Sequence, residues 1–281
     1  MSTLRSEYLP ATEIAEQELV LLHGWGLSSL IWQPLLPALR ELGHVTTIDL
    51  PGFGGSAALP MQGLDNLLDQ LLAEMPQQSV LLGFSLGGML AIQLAARFSH
   101  RVQGVVTLAS NARFTAVPAW PAAMAQATLD DFYQSAEQSL AVTLKRFLAL
   151  QIKGGDSGSD KALLKQLRVL AAVDCSEQLS ALALLALLSD LDNRLALASL
   201  SMPVVHLLAT GDQLVPPAAA DALAALGQSV KRIDKASHAL FLSHPQCCLK
   251  ALTDLFAQLP AVRRCQKAAV ARSFSRAAPT Y

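Results

Sequence analysis

Charge is scarce in this chain. Only 15% of its 281 residues are Asp, Glu, Lys or Arg, and the formal net charge is −1. With no global basic field, nucleic acid is disfavoured as the main partner. Hydrophobic residues make up 52% of the chain, the reverse of a disordered composition, so a compact protein with a large core is expected. Cysteine is sparse too. Cys175, Cys247, Cys248 and Cys265 form no C-x-x-C pair and have no accompanying histidine pattern, so they read as ordinary thiols and no metal site is expected. No early segment joins basic residues to an apolar stretch and a small-residue cleavage site, which gives the expectation of a cytoplasmic protein. The most apolar stretch, Leu179 to Leu188, falls well short of the roughly 20 residues that cross a bilayer, so no membrane span is expected. No internal repeat is visible.

What is present is an alternation of strand and helix signals. Leu19 to Leu22, Val45 to Leu50, Ser79 to Leu82 and Val105 to Ala109 read as strands, with helices over Ile31 to Leu42, Leu64 to Met75 and Ser85 to Phe98. This pattern predicts an α/β fold, a mostly parallel sheet with helices on both faces. The strand signals stop near residue 109. Helical periodicity replaces them, over Ala136 to Gln151, Lys161 to Leu170 and Ser180 to Leu188. Alternation resumes with Val204 to Leu208, Ala218 to Leu226, Val230 to Ile233 and a closing helix from Pro245 to Gln258. The economical division is a core over 1–116 and 201–260, a helical cap over 117–200 and a basic tail over 261–281.

Within this frame, Gly83-Phe84-Ser85-Leu86-Gly87 is a G-x-S-x-G string between a strand and a helix, which puts Ser85 on a sharp turn; a bland Gly-Ser turn is the alternative. A serine hydroxyl needs a base to take its proton and a carboxylate to hold that base in the right tautomer, in the chain order Ser, acid, His. Asp212 follows the strand Val204 to Leu208, at the carboxyl end where open sheets build their sites; Asp190 and Asp192 are its rivals. His238 follows the strand Val230 to Ile233 by a short polar link. His244 precedes Pro245, where a cap or surface role fits better, and His206 reads as a core histidine. An oxyanion needs preorganised donors, and the Leu86 amide after the serine and the Trp25 amide in His23-Gly24-Trp25-Gly26 are the candidates. His23 reads as a residue that shapes this loop. The glycine-rich loop Pro51-Gly52-Phe53-Gly54-Gly55-Ser56 has neither G-x-G-x-x-G nor a following lysine, so it reads as a tight turn and not a phosphate loop. Between Val142 and Leu170 in the cap, Lys145, Arg146, Lys153, Lys161, Lys165 and Arg168 outnumber Asp156 and Asp160 by six to two. They form either a solvated helical face or a docking surface for an acidic partner.

These strings resemble the α/β-hydrolase family, and within it the methyl ester esterases of biotin synthesis. His23-Gly24-Trp25-Gly26-Leu27, Asp49-Leu50-Pro51-Gly52-Phe53-Gly54, Ser85-Leu86-Gly87-Gly88, Phe147-Leu148-Ala149-Leu150-Gln151, Ser201-Met202-Pro203 and Ser243-His244-Pro245 carry the resemblance, over roughly residues 18 to 258. The resemblance implies an α/β-hydrolase fold and a serine carboxylesterase with Ser85, Asp212 and His238 as its triad and no cofactor. It implies a pocket formed by Trp25, Ser85, Leu86, Phe147, Leu148, Ala149, Leu150, Gln151 and His238. Its substrate would be the methyl ester of a pimeloyl chain on acyl carrier protein, with Arg146 and Lys161 meeting the acidic carrier and the enzyme acting as a monomer. A broad carboxylesterase, a carbon-carbon bond hydrolase and a hydrolase-like ligand receptor are the other readings; Ser rather than Asp at position 85 disfavours dehalogenase and epoxide hydrolase chemistry. Phe84 stands where that group commonly has Trp, and Val142 and Ser159 lack the charge that would strengthen carrier docking. The tail from Lys267 to Tyr281 resembles the opening of a malonyl-acyl carrier protein methyltransferase, which gives the expectation of an esterase fused to a methyltransferase.

Overall fold

The computed structural model describes residues 3–155, 160–171 and 178–259. The basic tail therefore lies outside the described residues, as do Asp156, Ser159 and two of the four cysteines, Cys175 and Cys265. In chain order, β1 (Ser6–Leu9), β2 (Glu18–Leu22), α1 (Leu36–Leu42), β3 (His44–Ile48), α2 (Leu64–Glu74), β4 (Ser79–Phe84), α3 (Leu86–Arg97) and β5 (Val102–Leu108) form the first half. Next come α4 (Gln126–Gln138), α5 (Leu140–Ile152), α6 (Asp160–Leu170), α7 (Gln178–Asp190) and α8 (Arg194–Ser199). The alternation resumes with β6 (Val204–Ala209), α9 (Ala219–Ala225) and β7 (Ser229–Ile233), and α10 (Leu240–Ser243) and α11 (Pro245–Phe256) close it.

One seven-stranded sheet has the order β1-β3-β2-β4-β5-β6-β7. Only β1 runs antiparallel to its neighbour. Successive side chains of a strand point to opposite faces, and the apolar runs of the central strands feed two cores in this way. Leu19, Leu21, Val80, Leu82 and Val106 join the core that includes Leu39 of α1 and Leu252 of α11. Val20, Leu22, Leu81 and Val105 join the other, with Leu68 of α2 and Leu90 of α3. The chain runs from β2 out to β3 and then back past β2 to β4, so the carboxyl ends of β2 and β4 flank the switch point where open sheets hold ligands.

Several expected elements differ. The helix read over Ile31 to Leu42 is a 3₁₀ turn over Ser29–Trp32 followed by α1, because Pro34 and Pro37 each lack an amide donor and interrupt a continuous helix. The helix read over Ala136 to Gln151 is split at Ser139, whose backbone is extended at φ −159° and ψ 93°. The apolar stripe carries straight across that break, since Ala136 and Leu140 are both buried and four residues apart. α7 is buried along most of its length, which is why its sequence is apolar on nearly every side. Among the described residues no helix is long and apolar enough to cross a membrane.

Candidate active site

Ser85 occupies the single residue between β4 and α3, with φ 51° and ψ −115°. That backbone is costly for a residue with a side chain, on the order of 1–3 kcal/mol, and persists only where the surroundings impose it. They do so here by close packing. A Cβ on Gly83 would lie 2.4 Å from the Gly87 carbonyl oxygen, and one on Gly87 would lie 2.2 Å from the Leu22 carbonyl oxygen. The Ser85 amide is tied to the Leu108 carbonyl at 2.8 Å, while the Ser85 carbonyl accepts from Gly88 and Met89. Leu86, at the first position of α3, has no carbonyl one turn back to take its N–H, as at any helix start.

His238 is fully buried after β7, and its Nδ1 is 2.7 Å from Asp212 Oδ2. The other carboxylate oxygen of Asp212 accepts from the Leu214 and Val215 amides at 2.7 and 2.9 Å, so the acid is fixed from its own loop. An ionised carboxylate only accepts, so Nδ1 carries the proton and Nε2 is left as an acceptor. Nε2 is buried without a hydrogen-bond partner. The imidazole rests against the ring of Phe84, with centroids 4.9 Å apart, next to Ser85 in the chain. The rival residues are engaged elsewhere. Asp192 is held by Arg194, whose guanidinium keeps the carboxyl below its usual range, and Asp190 is exposed. His244 bonds Ser243 at the start of α11, and His206 sits in β6 against Thr107 at 2.7 Å.

The loop after β2 meets the serine turn directly: a Cβ on Gly24 would lie 3.2 Å from Ser85 Cβ. His23 organises this loop. Its Nε2 accepts the Leu50 amide at 2.9 Å, so Nδ1 carries the proton and donates to the Gly24 carbonyl at 2.8 Å. Burial lowers its pKa. Asp49 receives the Ser29 and Gly55 amides on its two oxygens, and Gly54 turns with φ +53° directly over that carboxylate, so the glycine-rich loop is a turn wrapped on Asp49. The Trp25 indole donates to the Ala181 carbonyl in α7 at 2.7 Å and packs edge-on to Phe53 and Phe147.

Residues 18–245 match the family model described as alpha/beta hydrolase fold. The chain belongs to the α/β-hydrolase family. It is 44% identical to the biotin biosynthesis bifunctional protein of Cellvibrio japonicus over 94% of its own length and 52% of that relative's, so it spans about half of that protein. It is 38% identical to the pimeloyl-[acyl-carrier protein] methyl ester esterase of Aliivibrio salmonicida, over 83% of this chain and 89% of that one. Among solved structures, a bromoperoxidase from Bacillus anthracis superposes with a TM-score of 0.77 at 24% identity, covering 90% of this chain and 96% of that one. An esterase from Exiguobacterium antarcticum also superposes at 0.77, with 20% identity, covering 90% of this chain and 98% of that one. At these identities the superpositions speak to the fold.

In this α/β-hydrolase, α5 supplies the string Phe147 to Gln151. Phe147, Leu148 and Gln151 face inward, whereas Ala149 is exposed on the outer side of the helix and Leu150 is half-buried. Helical spacing accounts for the split, since five consecutive residues span more than one turn and cannot all face one way. Both amide atoms of Gln151 are buried without partners. A cavity of about 640 Å³ lies between the Trp25 loop and α5, lined by Gly26, Leu140, Leu144, Lys145 and Leu148 among others. It reaches the loop at Gly26 and is not lined by Ser85, Asp212 or His238. Arg146 and Lys161 are both exposed but line separate recesses. Arg146 lies beside Asp131, Phe132 and Thr143, and Lys161 faces Lys153 and Ala149 between α5 and α6. Among the described residues no cluster of His, Cys, Asp and Glu could hold a metal ion. The bonds of Trp25 to Ala181 and of Ser180 to Met61 join segments far apart in the chain, and no local pattern in the sequence marks them.

Proposed function

We propose that this chain is a serine carboxylesterase that hydrolyses the methyl ester of pimeloyl-acyl carrier protein. For the chemistry, the carrying observation is the buried His238–Asp212 pair with Nε2 unpartnered, its imidazole against Phe84, the residue before a serine held on a strained strand-to-helix turn. For the substrate, support comes from the relation to the Aliivibrio salmonicida esterase across 89% of that protein, since a fold by itself does not select a substrate.

Ser85, Asp212 and His238 act as the reacting set. His238 Nε2 takes the Ser85 hydroxyl proton as the oxygen attacks the ester carbonyl, and Asp212 stabilises the resulting imidazolium. The Leu86 and Trp25 amides receive the oxyanion; one such donor is worth roughly 3 kcal/mol in the transition state. Methanol departs with the proton from His238, and water repeats the path to release the pimeloyl carboxylate. Trp25, Phe147 and Leu148 wall the acyl chain, with Leu150 behind them. The buried amide of Gln151 provides a donor and an acceptor for a polar group of the substrate, and the outer position of Ala149 removes it from the pocket. The helices over 117–200 act as a cap on the core, and Arg146 and Lys161 present positive charge to the acidic carrier. The bifunctional relative supports a further reading, in which this chain is the esterase part of a protein joined to a methyltransferase.

The test compares methyl pimeloyl carrier protein with free dimethyl pimelate and a short nitrophenyl ester. Ser85→Ala is expected to lose turnover of all three by at least about a thousandfold while remaining folded. Retained turnover would refute the nucleophile. Equal kcat/KM for carrier-linked and free esters would refute the carrier and leave a general carboxylesterase.

A further inference from the structure

We infer that the carboxyl end of α5 is a positioning element for the His238–Asp212 pair, acting through a backbone junction between Gly154 and Gly211 and through the Gln151 carbonyl. This rests on the reading of Ser85, Asp212 and His238 as the reacting set.

Gly154 has φ +96°, and a Cβ there would lie 2.0 Å from the Gly211 carbonyl oxygen; a Cβ on Gly211 would lie 2.0 Å from the Gly154 carbonyl oxygen. The two segments touch backbone to backbone, and neither position admits a side chain. Gly211 immediately precedes Asp212, and its amide bonds the Ala236 carbonyl at 3.0 Å, in the link that leads to His238. Gly155 packs on the same link: its Cβ would meet the Lys235 carbonyl oxygen at 3.2 Å and the Ser237 nitrogen at 3.4 Å. One residue past the histidine, the Ala239 amide donates to the Gln151 carbonyl at 2.9 Å. The loops of the acid and of the base are thus each clamped to the end of one helix.

The middle of that helix meets the oxyanion loop. Leu144 Cδ2 would lie 2.8 Å from a Cβ on Gly26, and the Phe147 ring packs edge-on to Trp25 with centroids 5.1 Å apart. α5 therefore spans from the Trp25 loop to the base, and its position sets their separation. Groups that must align within about half an ångström are sensitive to such a spacer, and a displacement of about 1 Å costs on the order of a hundredfold in rate.

The test is Gly154→Ala and Gly211→Ala in the full chain, assayed on a short nitrophenyl ester that needs no carrier. The expected result is a drop in kcat of about a hundredfold with KM unchanged. The far-downfield proton resonance of the His238–Asp212 hydrogen bond should shift or vanish while the circular dichroism spectrum stays native. Gly155→Ala, with a milder clash, should show a smaller change of the same kind, and serves where the first two do not fold. A folded variant with native kcat and an unchanged resonance overturns the inference, as does a lower kcat with the resonance unchanged. If the reading of the reacting set is itself at fault, His238→Ala retains activity. If only the positioning role is at fault, His238→Ala is inactive and Gly154→Ala matches the unsubstituted protein.

Discussion

At residue 85 a strained backbone and two glycines depend on one another. The turn is tight because α3 starts where β4 stops, and it closes only because Gly87 can lie on the end of β2. Gly87→Ala places a methyl 2.2 Å from the Leu22 carbonyl oxygen and 2.6 Å from that of His23, both backbone atoms that cannot swing aside. The expected cost is about 1–3 kcal/mol in urea unfolding, with a loss of ester turnover because β2 leads into the Trp25 loop. Gly63→Ala is the control. Its φ of +95° and ψ of 167° make any side chain unfavourable, but nothing lies within 4 Å, so about 1–3 kcal/mol of backbone strain and no loss of turnover is expected. Equal effects of the two on turnover would mean that contact with β2 is irrelevant. The pattern around Ser85 was legible because a G-x-S-x-G string after an apolar run has few other physical uses. Asp212 and His238 were legible because each follows a strand signal by a few residues. The inward and outward halves of Phe147 to Gln151 were not, since a string match carries no helical phase.

At the scale of elements, helix α7 is held to the core by two polar ties. Ser180 Oγ accepts the Met61 amide at 2.9 Å and donates to the Leu59 carbonyl at 3.0 Å, and Trp25 Nε1 bonds the Ala181 carbonyl. Ser180→Ala leaves two backbone groups without that partner, at an expected cost of about 1–3 kcal/mol. The cost should fall on local opening of α7. Hydrogen exchange of its amides is expected to speed up while β4 and β5 keep their protection; equal loss across helix and sheet would mean that α7 does not open as its own unit. Such ties link Met61 to Ser180 and Trp25 to Ala181, across more than a hundred residues, which local periodicity does not reach. The same limit explains the missed elements. β1 gains its place from pairing with β3 and has no apolar run of its own, and the Ser139 break is hidden by a stripe that continues through it. The central strands were readable because each is apolar on both faces, as a sheet covered by helices on both sides requires.

Over the whole molecule, the two cores meet at a sheet that also encloses two histidines outside the His238 pair. Burial pushes the pKa of His206 down to about 4 from an ordinary value of 6.5, and lowers that of His23 as well. In the unfolded chain both would take protons as the pH falls through 6.5, while in the folded protein His206 stays neutral until about pH 4. The unfolded state therefore binds more protons across that window, and stability falls as the pH drops from about 6.5 to about 4. For His206 alone the full shift corresponds to about 3 kcal/mol, all of it present above pH 6.5 and lost by pH 4. His206→Asn keeps a polar group for Thr107, its 2.7 Å partner across β5 and β6, and removes the titration. Urea midpoints measured from pH 7.5 to pH 4.5 are expected to fall steeply for the unsubstituted protein and less steeply for the variant. The remaining slope belongs to His23 and to exposed groups. Parallel curves for the two proteins would mean that His206 is not a source of the acid sensitivity.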